Sequence, residues 1–253
     1  MKKLSMALFL VAGIAVQMLA QTVESVDVSN APEGFFTADT REYKIEGNVV
    51  KGQKDGVWYE LYKDNSRKDI PKKIVTYAKG KREGLYMELD NTGSITKKAN
   101  YRNDELDGFL YTWYKGGYPA LMQTYKNGAL AGKHIKYYDR AGVQEESEYL
   151  NGLRHGVTTW FDDSGHKKMS ITYNNGEFEG PQQTYYHDGT VKSVKEYKNN
   201  VLNGTAKEFY EDGSLKSEAV YKDGQMKGKE KKYPEPKKEE KDVKKEDVKS
   251  KKQ

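Results

Sequence analysis

Large apolar residues return along this chain every 24 positions, with glycines and polar turn residues held in phase between them. One series is Tyr77, Tyr101, Tyr125, Tyr149, Tyr173, Tyr197 and Tyr221. A second, with the same step, is Gly84, Gly108, Gly132, Gly156, Gly180, Gly204 and Gly228. Gly56 heads the glycine series 28 residues before Gly84, so four residues are inserted, within the 65–73 stretch in a loop containing Pro71. A fixed step of this length is the signature of a repeat architecture, in which each unit buries its apolar face against its neighbours.

Two turn signals punctuate each unit. The first is Asn127-Gly128, Asn151-Gly152, Asn175-Gly176 and Asp223-Gly224, with Asn103-Asp104 and Asn199-Asn200 at equivalent places. These residues tolerate the positive φ that a two-residue type I′ hairpin turn needs at both central positions. The second is Gly93, Gly117, Gly165, Gly189 and Gly213; in one unit it slips to Gly142, which suggests a bulge there. Two turns per unit leave strands of about 7–9 residues, and no stretch carries apolar residues at helical spacing. The expected fold is all-β: an elongated antiparallel array of successive β-hairpin repeats over residues 43–233. Some fifteen strands at about 4.8 Å each would extend roughly 70 Å if laid flat.

Counting back four from the second turn glycine gives Leu89, Trp113, Tyr138, Phe161, Tyr185 and Phe209. Leu106, Leu130, Phe178, Leu202 and Met226 lie two before the unit glycine. Stacked with the tyrosine series, these columns make one continuous aromatic face. A second aromatic set lies at even offsets from the unit glycine: Trp58, Tyr62, Tyr86, Tyr114, Trp160, Tyr186 and Tyr210. Strict alternation places it on the opposite face, as an exposed track able to hold a protein strand, a glycan or a lipid headgroup. A bulge at the glycine would reverse that parity, and both faces would then be partly covered. The glycine itself either permits a kink or lets a neighbouring ring lie over the backbone.

The ends differ from the body. Residues 1–20 have two lysines, an apolar run from Leu4 and a small residue at Ala20, the layout of a secretory signal peptide, which implies export. Residues 21–42 show no sustained period and read as a linker, with Phe35 and Phe36 placed to pack on the first strands. Residues 234–253 are Lys/Glu-rich, lack aromatics and cannot bury enough surface to order themselves. Residues 1–20 and 234–253 carry four of the five net positive charges; the stretch between them holds 33 basic and 32 acidic residues. A near-neutral body lacks the basic stripe of a nucleic-acid binder. With no cysteine, disulfides, thiol chemistry and a lipidated cysteine anchor are excluded.

The unit Tyr-x-Asn-Gly-x-Leu-x-Gly, an aromatic residue, Asp-Gly-x-Leu/Val and a closing Tyr resembles the bacterial variant of the MORN repeat. Its clearest instances are 125–132 and 197–221. Bacterial proteins built this way are commonly grouped as YwqK-type antitoxin-like proteins. The resemblance implies an elongated sheet of hairpins serving as an interaction surface, with no catalytic motif to carry over.

The residues offer little chemistry beside that. His134, His155, His166 and His187 occupy four different positions relative to the unit glycine, so they form no column and indicate no metal site. Asp162-Asp163 and Glu145-Glu146 are adjacent pairs that a regular strand would point to opposite faces. Ser164 and Ser214 sit at turns without the strand–elbow–helix setting of a nucleophile. No cofactor is expected. The partner class is a protein, or alternatively an envelope glycan or lipid, and its identity is not written in the chain.

Overall fold

The computed structural model describes residues 22–63 and 70–236. The signal-like segment 1–20, most of the insertion and most of the tail lie outside the described residues. Within them all regular structure is β: seventeen strands, β1 (Gly34–Asp39) to β17 (Gln225–Lys232), numbered in chain order. Each pairs antiparallel with its neighbours in sequence, so the chain is one open meander of hairpins. Pro71, expected in the inserted loop, instead opens β4 (Pro71–Ala78) and pairs with Leu61.

The first turns are two-residue turns with positive φ at both central residues: 49° and 77° at Asn127-Gly128, 49° and 65° at Asn199-Asn200. That is the type I′ signature, and its twist matches that of the flanking strands. From Lys79-Gly80 onward each such turn is also latched sideways. The amides of Gly80, Asp104, Gly128, Gly152, Gly176, Asn200 and Gly224 donate to Lys54, Arg82, Leu106, Leu130, Arg154, Phe178 and Leu202 of the preceding unit. At the second turns the left-handed residue keeps the 24-residue step without a slip. Ala141, not Gly142, takes it, with φ 70°, and its amide donates to the Tyr138 carbonyl. Gly142 is the neighbour of that position, and the turn geometry overrides the residue preference.

Faces follow from a second regularity. In β7 (Glu105–Trp113), Leu106 pairs with Tyr101 and Leu110 with Ala99, so Asp107, Gly108 and Phe109 together face Asn100. The two extra residues form a bulge around Gly108, whose φ is 106°. The kink reading of the unit glycine is therefore the one realised; a Cβ at Gly108 would meet Asn100, not a ring. An excess of two preserves parity. Residues two before and two after the glycine thus share a face with the tyrosine series, here called the inner face. Phe109, Tyr111 and Trp113 take the other, with ring centroids 5.8 and 6.0 Å apart. The single aromatic face expected from the sequence is really two, because the two-residue turn sets Tyr101 opposite Leu106.

The segment read as a linker is part of the fold. It contains β1, and residues 22–31 lay Val23, Val26 and Val28 onto the inner face, where they join Ile45, Val49, Trp58, Val75, Tyr77, Tyr86, Ala99 and Leu110 in the core. Each buried valine contributes about 1.5–3 kcal/mol relative to exposure. Phe36 packs on Trp58 at 5.7 Å, whereas Phe35 faces solvent. Glu60 and Lys54 hold the segment: Val23 donates its amide to Glu60 Oε2, and Lys54 Nζ donates to the Val23 and Glu24 carbonyls. Lys72 Nζ pairs with the other Glu60 oxygen at 2.8 Å.

Candidate interaction faces

The seven even-offset aromatics do not form one exposed track. Trp58 and Tyr86 lie in the core, fully or almost fully buried. Their position two residues after the glycine places them beside Tyr77 and Tyr101, with centroids 6.4 and 5.6 Å away. Trp58 fits because residue 47, across the strand, is a glycine; a Cβ there would overlap the indole.

Tyr62, Tyr114, Tyr186 and Tyr210 open the second turns, and all four are half-buried. Their hydroxyls donate to the carbonyls of Leu89, Tyr137, Phe209 and Tyr233 in the next unit, and Tyr138 does the same to Phe161. These tyrosines brace one hairpin end to the next. Strand alternation alone could not reveal this, since the contact joins turns and not strands.

Trp160 belongs to a polar cluster that replaces the apolar core farther along the inner face. Its Nε1 donates to Glu145 Oε2 at 3.1 Å, and Arg154 pairs with Glu145 Oε1 at 2.6 Å. The Arg154 guanidinium also lies 5.6–5.7 Å from the Tyr149, Trp160 and Tyr173 rings. Ser147 and Thr158 beneath it are fully buried. Ser147 donates its hydroxyl to Glu145, so it is a structural hydroxyl of the cluster. Nearby His134 bonds Gln123 at 3.1 Å, and burial lowers its pKa, which favours the neutral ring.

Most of the exposed apolar surface lies on the outer face, which the sequence had not singled out and to which Trp113, expected in the single aromatic face, also belongs. Phe109 is 49% exposed and continues through Tyr111 to Trp113, with Met122 paired to Tyr111 and Tyr118 exposed at the adjoining turn. Val57 and Val157, in the same position after their unit glycines, are 43% and 54% exposed. Their signal was a column one residue after the glycine, hidden by its alternation with Lys133, Pro181, Thr205 and Lys229 in other units. The far edge of the sheet, β17, is exposed along its whole length and carries Lys227, Lys229, Lys231 and Lys232. Lysines on an edge strand oppose sheet-to-sheet aggregation.

Two of the four histidines come together although they share no repeat position. His166 lies in the turn after β11 (Leu153–Phe161) and His187 in the turn after β13 (Glu177–Tyr185). Those turns are neighbours at one end of the sheet, and the rings stand 3.9 Å apart beside Asp162. A histidine in one unit thus meets a residue 21 positions on, a spacing that no single-column test detects.

The MORN repeat variant family matches three segments of the chain, residues 154–175, 178–199 and 202–223. Each covers one strand, a second turn and the return strand, so the matched unit is the hairpin described above. The same hairpin geometry and sideways turn latches extend back from the matched segments to Lys54 and Gly80. MORN repeats are in general protein- or membrane-interaction modules and form non-catalytic scaffolds. No curated protein matches the chain.

Proposed function

We propose that this chain is an exported, non-enzymatic β-repeat scaffold whose outer face binds another protein. The observation that carries the reading is the strip Phe109–Tyr111–Trp113, a run of tilted neighbouring rings that starts at exposed Phe109 and continues through the half-buried Tyr111 and Trp113. Exposed aromatic surface of this kind marks interaction sites, and aromatics are enriched where interfaces bury their centres. The inner face is less suited where residues 22–31 cover its first strands and where the Glu145–Arg154 cluster fills it farther on. The stretch between the two basic ends is near-neutral, which favours a protein over an anionic membrane or nucleic acid. The signal-like segment supports export, and the antitoxin-like resemblance supports an immunity role. With export, that role suits a target in the envelope or at the surface better than a cytosolic toxin.

The test is photo-crosslinking in intact cells from a reactive residue placed at Phe109, compared with one at Lys207. A protein adduct from 109 that is absent from 207 and lost in Trp113→Asp supports the proposal. Adducts confined to glycan or lipid would transfer the strip to envelope binding, the alternative reading. No adduct at all would overturn both.

A further inference from the structure

The second turns are built to a common plan, and the exceptions point to a site. Where Tyr114, Tyr138, Tyr186 and Tyr210 each supply a brace to the next unit, the chain has aspartate at two places, Asp90 and Asp162. At Asp90, whose carboxylate is favoured first by the Thr92 hydroxyl and then by the Ser94 amide, the corresponding positions hold Ser94 and, 25 residues on, Lys115. At Asp162 the same two positions are His166 and His187. One aspartate turn therefore has a serine and a lysine at these positions, and the other has two imidazoles.

We propose that Asp162, His166 and His187 bind one divalent transition metal of the zinc class, leaving a coordination position open. Their ligand atoms all lie within 4.8 Å of one another. His166 Nδ1 is 3.4 Å from Asp162 Oδ1 and His187 Nδ1 is 3.9 Å from Oδ2. Tetrahedral zinc with bonds of about 2.0–2.1 Å sets neighbouring ligands roughly 3.4 Å apart. The first pair already has that spacing, and His187, with its side chain 77% exposed, is free to turn inward. His166 Nδ1 is closed to solvent, and its distance to Asp162 is beyond that of a good hydrogen bond. A metal would satisfy it.

The carboxylate is pre-oriented, since its Oδ1 accepts the amides of Ser164 and His166 at 3.0 and 2.9 Å. Those bonds, that of His166 first, also lower its pKa, so it is ionised at neutral pH. Two imidazoles with a carboxylate suit zinc, copper or nickel over calcium or magnesium. The open position would be taken by water or by a donor from a bound partner.

Isothermal titration with zinc chloride on the untagged chain tests this, beside His166→Ala, His187→Ala and Asp162→Tyr. The parent takes up one zinc per chain. Each variant loses more than the roughly 10–100-fold typical of removing an outer-shell partner. Asp162→Tyr restores the brace of the other units, so it removes metal binding while raising thermal stability, which separates lost ligation from a damaged fold. No saturable uptake, or uptake that survives His187→Ala and Asp162→Tyr, overturns the proposal.

Discussion

Tyr186 donates its hydroxyl to the main-chain carbonyl of Phe209, 2.7 Å away and 23 residues further along the chain. The ring starts one second turn and the carbonyl lies just before the next, so the bond ties adjacent units at the end of the sheet. In a repeat array stability is close to a sum of unit and interface contributions. Tyr186→Phe removes only the oxygen and should lower unfolding stability by about 0.5–1.5 kcal/mol. A urea denaturation midpoint unchanged from the parent would show that the brace contributes nothing.

Ala141 occupies a left-handed position, φ 70°, that glycine fills in the other glycine-marked turns of its kind. An L-residue there carries a steric cost of about 1–2 kcal/mol that glycine escapes, set against about 0.5–1 kcal/mol of extra glycine entropy. Ala141→Gly should therefore raise stability, by up to about 1 kcal/mol, as read by thermal denaturation. A loss of stability would mean that the turn is not strained at Ala141.

Two glycine substitutions should fail for different reasons. Gly47 has no positive φ, but a Cβ there would overlap the Trp58 indole, so Gly47→Ala forces the core apart. Overpacking of this kind costs about 1–3 kcal/mol, occasionally more. Gly84 has room, its nearest side-chain atom being Thr76 Cβ at 3.9 Å, but its φ is 91°. Gly84→Ala meets backbone strain of about 1–2 kcal/mol instead. Only the first should disturb tryptophan fluorescence; an unaltered spectrum in Gly47→Ala would refute the packing described at Trp58.

The N-terminal segment should show a distinctive pH response. Burial holds Lys54 down to about 8, from 10.5. Between those values the unfolded chain holds a proton that the folded chain has released, so stability rises with pH across that interval. Below about 8 both states are protonated, and the cost of burying the charge is fully present. Tyr77 and Tyr86 act in the other direction: burial raises both above 10.0, so stability falls once unfolded tyrosines ionise. Urea midpoints should climb from about pH 8 to 10 and then drop. In Lys54→Met the climb should vanish; a climb of the same slope would assign it to another group.

The repeat length, the all-β class, the hairpin order and the type I′ turns were legible in the chain because each depends on local backbone preference. Asn127-Gly128 needs no distant neighbour to favour positive φ at both positions. The packing of residues 22–31 was not legible, since three valines among polar residues carry no period. Nor was the function of the turn tyrosines, whose partners lie a unit away. The sharpest loss was at the candidate site. Trp58 and Tyr86 moved from an expected exposed track into the core, and Phe109, Tyr111 and Trp113 took the solvent-facing place.

What the sequence by itself determined, then, is the unit and its punctuation: where strands begin, how they reverse and how often. Tertiary structure alone decided which side of the sheet each residue occupies. The reason is arithmetic in the backbone. A two-residue turn sets Tyr101 opposite Leu106, and a bulge with two extra residues at Gly108 keeps Leu110 on that same face. The first pairing follows from a turn that the chain itself announces; the second, set by the bulge, cannot be counted from the sequence. Which turns stand side by side was likewise settled by pairing, and it is this that sets His166 against His187 beside Asp162.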